Sequence, residues 1–137
     1  RSNCHLLTRF GAKITLCGPP EFVPEVAATL APGLRVTRHI EDALRGADVI
    51  MLLRLQKERL AGQKISLQDY IARYQMTAAR VKLAKRDAIV MHPGPIIRGL
   101  ELTAEVADGP QSKIIDEVHN GVPVRMAILA RALGKAK

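Results

Sequence analysis

The sequence predicts an α/β fold in three layers, a parallel sheet flanked by helices. Two observations carry this. Short β-branched apolar runs alternate with stretches of helical spacing along the 137 residues, and each apolar run ends in a turn or a cluster of polar residues. With 47% hydrophobic residues, the chain suits one packed unit, and residues 1–137 read as a single domain.

The elements follow in order. Cys4 to Phe10 is helix-like and Gly11 would end it. Lys13-Ile14-Thr15-Leu16-Cys17 is a strand that stops at the breaker Gly18-Pro19-Pro20. Glu21 to Leu30 reads as a helix closed by Ala31-Pro32-Gly33, and Leu34-Arg35-Val36-Thr37 as a second strand. A brief helix from Glu41 to Leu44 precedes Asp48 to Leu53, which reads as the clearest buried strand. Ser66 to Tyr74 and Thr77 to Ala84 have helical spacing, and Ala88-Ile89-Val90-Met91 is a fourth strand. Pro110 opens a long helix toward Gly134, with an interruption near Gly121-Val122-Pro123. Ile114, Ile115, Val118, Val122, Met126, Leu129 and Leu133 form an apolar stripe along it. The abrupt start at Arg1-Ser2-Asn3 suggests a missing neighbour on that side.

Composition narrows the function. No apolar run approaches the roughly 20 residues that span a bilayer, and the first residues do not read as a signal peptide, so a soluble cytoplasmic protein without membrane partners is expected. Cys4 and Cys17 lack metal spacing and read as reduced thiols. The net charge of +8 raises a nucleic-acid reading, but Tyr70 and Tyr74 lie four apart, as on one helix face, and there are few other aromatics for base stacking. Arg80, Lys82, Lys85, Arg86, Lys135 and Lys137 read as solvated surface. No Gly-x-Gly-x-x-Gly follows a strand and no Gly-x-x-x-x-Gly-Lys-Ser/Thr occurs. Neither a dinucleotide nor a nucleoside triphosphate is therefore expected, and no cofactor or metal is assigned.

In parallel sheets, ligands bind outside the carboxyl ends of the strands. After the third strand stands Arg54, directly behind five apolar residues, where a planar guanidinium can hold a carboxylate through two parallel bonds. The alternative is a surface pair with Glu58. Gln56 can donate and accept beside it, or be a solvated loop amide, while Lys57, Glu58 and Arg59 suit tying the loop down. After the fourth strand comes Met91-His92-Pro93-Gly94-Pro95-Ile96-Ile97-Arg98-Gly99-Leu100-Glu101. Its two prolines fix φ and Gly94 lacks a Cβ, so the run reads as a stiff loop presenting carbonyls to a small ligand, with a plain surface turn as the alternative. The Gly94-Pro95 bond is expected to be cis, since the loop must turn sharply. From charge alone, His92 and Arg98 would face whatever anion or amide the loop holds.

Four blocks carry a family resemblance: Leu53-Arg54-Leu55-Gln56-Lys57-Glu58-Arg59; His92-Pro93-Gly94-Pro95 with Arg98-Gly99; Glu105 to Ser112; and Asn120 to Ala127. In this order they resemble the aspartate carbamoyltransferases, and Arg1-Ser2-Asn3 fits the start of the same aspartate-binding half. Ile96-Ile97 departs from a Met-Asn-like pair found in many members. The His-Cys-Leu-Pro and Ser-Met-Gly-type segments of the ornithine branch do not occur.

The resemblance implies a Rossmann-like second domain of the aspartate/ornithine carbamoyltransferase fold, acting in pyrimidine biosynthesis. It implies that Arg1 and Arg54 grip the carboxylates of L-aspartate with help from Gln56. Gly94 and Pro95 would offer main-chain oxygens to the amide of carbamoyl phosphate, and His92 and Arg98 would support the loop. An N-terminal half, absent here, would hold the phosphate cradle and oxyanion donors, so no complete catalytic set is expected in this segment. The full-length enzyme would be built on homotrimers, and the final helix would cross back onto the N-terminal half. A non-catalytic dicarboxylate-binding or regulatory module on the same fold is the competing reading.

Overall fold

Parallel strand pairs flanked by helices make up the computed structural model, which describes residues 1–55 and 65–135. Helix α1 (Ser2–Leu7) runs into a 3-10 turn (Thr8–Phe10) that stops at Gly11 in the left-handed region. Strand β1 (Thr15–Cys17) pairs in parallel with β2 (Arg35–Thr37), Leu16 opposite Val36. After α2 (Ile40–Leu44), strand β3 (Val49–Met51) pairs in parallel with β4 (Ile89–Met91), Ile50 opposite Val90. Helices α3 (Leu67–Tyr74) and α4 (Ala78–Val81) lie between β3 and β4 in sequence; α5 (Ala104–Ala107) and α6 (Ile114–Ala132) follow β4.

Side-chain caps set the starts of three helices. Ser66, Thr77 and Thr103 each accept from the backbone N–H three residues on, at 3.0, 3.3 and 3.4 Å, satisfying one of the orphan donors at each helix start. At the end of α5 a glycine is needed for room: a Cβ on Gly109 would stand 2.7 Å from the carbonyl oxygen of Glu105.

The main core joins Ile40 and Leu44 of α2, Ile50 and Val90 of the β3–β4 pair, Met76, Val81, Leu102, Val106, Ala107 and Ile114. A smaller cluster of Cys4, Ala31 and Leu34 packs with Ile14, Leu16 and Val36 around the β1–β2 pair. The guanidinium of Arg80 knits α2 to the α3–α4 junction. It donates to the carbonyls of Gln75 (2.7 Å) and Ala72 (3.0 Å) and meets Glu41 Oε1 at 3.3 Å.

Several elements depart from the sequence reading. Glu21–Leu30 is not one helix: only Glu25–Leu30 winds, as a 3-10 segment after extended Pro24. Pro24 has no N–H to close an α-turn and disfavours helical backbone at Val23. Strand β3 is buried only at Ile50, with Val49 and Met51 exposed. The final helix begins at Ile114, because residues 111–113 continue strand pairing instead: Val90 N–H donates to Gln111 O and Lys113 N–H to Val90 O, both at 2.8 Å. It then runs through Pro123 without a break. Pro123 deprives the His119 carbonyl of its donor, but that turn is exposed and water can replace the lost bond. Arg80, read as surface, is a structural tie.

Of the apolar stripe on α6 only Ile114 is buried. Ile115, Val118, Val122, Met126, Leu129 and Leu133 are each at least half exposed. No helix among the described residues is long and apolar enough to cross a membrane.

Leu102, at 0% exposure in the main core, gives a direct test of this packing. Leu102→Ala should lower unfolding free energy by about 2 to 5 kcal/mol through lost burial and a residual cavity, read as a shift in urea midpoint at unchanged slope.

Candidate functional site

The β3–β4 ladder outlasts its strands by one bond: Leu52 N–H donates to Met91 O at 2.9 Å. The two segments that leave it, 53–55 and 92–99, therefore start side by side at the carboxyl end of one parallel pair. Beyond β3, Leu53 and Arg54 are exposed while Leu55 is buried. Leu55 thus anchors the chain immediately after Arg54 and leaves the guanidinium outside. Gln56, Lys57, Glu58 and Arg59 lie outside the described residues. Helix α1 reaches the same end, for Asn3 Nδ2 meets Met51 Sδ at 3.1 Å. Arg1 is exposed just ahead of Asn3, its carbonyl accepting from His5 N–H at 3.1 Å.

The loop after β4 is held from inside. His92 is fully buried, and its Nδ1 accepts from Gly94 N–H at 2.9 Å. Nδ1 must then present its lone pair, which puts the ring proton on Nε2. Nε2 stands 3.3 Å from Glu101 Oε1, off the line of a good hydrogen bond. The same Oε1 accepts from Ile97 N–H at 2.8 Å, and the backbone N–H of His92 donates to Glu117 Oε2 at 3.0 Å. Glu101 is 2% exposed and its Oε2 has no hydrogen-bond partner among the described residues. Its charge is felt next door: burial first, then Glu101, pushes the Tyr70 hydroxyl up to about 12.

The tip between these anchors is Gly94-Pro95, joined by a cis peptide with Gly94 at φ +67°. A Cβ on Gly94 would meet nothing within 4 Å, so glycine is needed there for its backbone angle and not for space. Among the described residues, neither the Gly94 nor the Pro95 carbonyl accepts a hydrogen bond. Ile96 packs on the main core, and Gln75 Nε2 holds the Gly99 carbonyl at 2.7 Å.

For His92 and Arg98 the contacts go against the ligand-facing reading drawn from charge and fit the loop support that the resemblance implies. His92 faces inward and cannot confront a ligand, being sealed by Glu101 and its own loop. Arg98 is committed to Asp108, with Nη1–Oδ2 at 2.6 Å and Nη2–Oδ1 at 2.8 Å, a bidentate pair that ties the loop to the end of α5. Sequence reading assigned no role to Glu101, Glu117 or Asp108. For Glu101 a signal existed in hindsight: an acid between Leu100 and Leu102, in a run where all three are buried.

Other groups are excluded by their partners. Arg38, after β2, donates to the carbonyls of Gly18 (2.8 Å) and Val23 (2.7 Å) and pairs with Glu25. Tyr74 is buried against Tyr70, their ring centroids 5.6 Å apart, so the pair is no stacking platform. Cys4 and Cys17 are free thiols, and burial first, then Glu41, pushes Cys17 up to about 11. No cluster of metal-ligating side chains occurs among the described residues.

Residues 1–132 match the family described as "Aspartate/ornithine carbamoyltransferase, Asp/Orn binding domain". The chain belongs to that family. It is 59% identical over 135 residues to the aspartate carbamoyltransferase catalytic subunit of Koribacter versatilis (strain Ellin345), covering 98% of this chain and 45% of the relative. It is 52% identical to that of Solibacter usitatus (strain Ellin6076), covering 98% and 44%. The chain therefore spans under half the length of these relatives. Among solved structures, the ornithine carbamoyltransferase from Gloeobacter violaceus superposes with a TM-score of 0.77 at 30% identity, over 94% of this chain and 45% of that one. An N-acetyl-L-ornithine transcarbamylase shares the fold at a TM-score of 0.76 and 24% identity. The carbamoyltransferase fold is thus present in this segment, with parallel strands flanked by helices.

The Arg98–Asp108 pair makes a pH prediction. Hydrogen bonding to Arg98, reinforced by its charge, holds the Asp108 carboxyl below its usual 3.8. A depressed folded value contributes stability above the ordinary value, and that contribution is lost as pH falls through the folded one. Carboxyl carbon titration by NMR should show Asp108 titrating below 3.8 and returning toward it in Arg98→Ala; an unmoved midpoint would break the assignment.

Proposed function

We propose that this chain is the L-aspartate-binding part, a single unit, of an aspartate carbamoyltransferase in pyrimidine biosynthesis. The reaction converts carbamoyl phosphate and L-aspartate to N-carbamoyl-L-aspartate and phosphate. One observation carries the reading: the segment bearing Arg54 and the loop bearing the Gly94 and Pro95 carbonyls, which accept no hydrogen bond among the described residues, leave the same end of the same parallel ladder. The names of the relatives at 59% and 52% identity support aspartate over ornithine as the amino acid.

In this reading Arg54 and Arg1 grip the two carboxylates of aspartate and Gln56 assists. The Gly94 and Pro95 carbonyls accept from the carbamoyl amide and orient its carbon. The neutral aspartate amine attacks that carbon, a tetrahedral species forms, its C–O bond to phosphate breaks, and the departing phosphate takes up the amine proton. No covalent enzyme intermediate, metal or cofactor is needed. Catalysis rests on orientation and on neutralising charge. His92 and Arg98 act by holding the loop, and the phosphate cradle and oxyanion donors belong to the remainder of a full-length chain. That remainder also covers the apolar face of α6, and the complete enzyme is homotrimer-based and cytoplasmic, without nucleic-acid or membrane partners.

A non-catalytic dicarboxylate-binding module is the other reading. Dicarboxylate titration alone fits both, whereas carbamoylaspartate formation on adding the N-terminal half supports only the enzyme. The isolated segment should be silent and should self-associate through α6, seen as concentration-dependent light scattering. Turnover by the pure segment would refute this division of labour.

Arg54→Ala in the complete enzyme should raise the aspartate KM strongly and leave carbamoyl phosphate binding nearly unchanged. Loss of a desolvated charged contact costs on the order of 2 to 5 kcal/mol. Arg54→Lys should rescue poorly, because an ammonium lacks the planar fork. Unaltered aspartate kinetics in Arg54→Ala would reduce Arg54 to a surface residue.

A further inference from the structure

Glu101 is the least expected group in the molecule, a carboxylate at 2% exposure between two buried leucines. Burying such a group is costly unless its oxygens are used. Oxygen Oε1 faces both limbs of one loop. It accepts from Ile97 N–H at 2.8 Å on the far limb and stands 3.3 Å from His92 Nε2 on the near limb, while His92 Nδ1 takes the Gly94 N–H at 2.9 Å. One side chain thus spans residues 92 to 97, and the Gly94 and Pro95 carbonyls, without a hydrogen bond among the described residues, lie between its contacts.

Neighbouring contacts hold other parts of the chain. Glu117 holds the His92 backbone, Asp108 the Arg98 side chain and Gln75 the Gly99 carbonyl. None of these reaches the peptide units from Gly94 to Ile97. The backbone of Glu101 is itself fixed, since its carbonyl accepts from Met76 N–H at 2.9 Å, beside the core. A shift of this carboxylate would move the tip carbonyls relative to whatever they hold, with the rest of the fold in place.

We infer that Glu101 is the positioning residue of this site, acting through His92 and the Ile97 amide to aim the Gly94 and Pro95 carbonyls at the transferred amide. The inference deepens the carbamoyltransferase reading and rests on it for the identity of that amide. It gives Glu101 an effect on one substrate only. Misplaced carbonyls weaken handling of the carbamoyl donor, whereas Arg54 departs from the other strand and keeps its grip.

The experiment compares full-length enzyme with Glu101→Gln and Glu101→Ala variants. In Glu101→Ala, kcat/KM for carbamoyl phosphate should fall about tenfold to a hundredfold, the scale of a small misplacement of reacting groups, with the aspartate KM within about twofold of wild type. Glu101→Gln, which keeps an oxygen for the Ile97 amide and preserves volume, should recover part of the loss; it also carries the test if the alanine variant does not fold. Equal losses for both substrates, or no loss in either variant, would overturn the inference.

Imidazole nitrogen shifts of His92 provide a readout independent of turnover. Wild type should show an unprotonated Nδ1 and a protonated Nε2; once the far limb is no longer held, the Gly94 N–H should draw away from Nδ1 and both tautomers should appear, more in Glu101→Ala than in Glu101→Gln. An unchanged pattern in the variant overturns the inference whatever the activity. Absence of carbamoylaspartate formation by wild-type enzyme instead defeats the functional reading, and the nitrogen shifts then still decide whether Glu101 sets the loop.

Discussion

Parallel pairing of Val49–Met51 with Ile89–Met91 is the constraint on which the site depends. Because the strands run the same way, whatever follows them emerges on one side, and the Leu52–Met91 bond carries this alignment to the point where the loops diverge. Register is enforced by burial. Ile50 and Val90 face each other inside the main core at 6% and 1% exposure, and a slip of one residue would turn an apolar side chain out. Val90 is held on its other edge as well, by Gln111 and Lys113. Strand β4 is therefore clamped from both sides just before His92, and the loop inherits a fixed origin.

What was legible in the sequence is what local chemistry decides. Short β-branched runs marked the four strands, Gly11 marked the end of the first helical stretch, and helical spacing began at Ser66 and Thr77, which the structure shows to be caps, whereas Thr103 and the short helix it caps carried no such spacing. The Pro-Gly-Pro run marked the loop because proline and glycine act on their own backbone. Features with distant partners were not legible. Arg80 reads as an ordinary helix arginine until the fold brings Glu41 and the carbonyls of Ala72 and Gln75 to it. Residues 111–113 follow Pro110 as a helix start should, yet the unsatisfied edge of β4 claims their backbone first. Glu101 stands between two leucines, which hints at burial, but its partners lie four and nine residues back, across a turn that sequence spacing does not describe.

Basic charge, taken alone, pointed toward nucleic acid, and the structure shows why that inference is weak. Arg38, Arg80 and Arg98 together engage four backbone carbonyls and three acids. A guanidinium with five donors is suited to such junctions, where loop and helix-end carbonyls would otherwise lack partners. Net charge counts these residues as if they were free in solution. In a short chain poor in aromatics, arginine serves here as a structural crosslink.

The two halves of the proposed site are built to different tolerances, and physical chemistry accounts for the difference. A carboxylate held by a guanidinium gains from charge as well as direction, so the Arg54 segment can stand exposed with Leu55 as its near anchor. Neutral carbonyls accepting from an amide have only geometry to offer, and such bonds weaken steeply with misalignment. The loop that carries them is accordingly braced by buried groups, with His92 and Glu101 beneath it and Ile96 packed into the core. Burying a carboxylate with one oxygen unpartnered is a poor way to gain stability. It makes sense as a way to hold two limbs of backbone at one separation, because a single buried carboxylate accepts from Ile97 on one limb and stands against His92 on the other, where two independent contacts could drift apart.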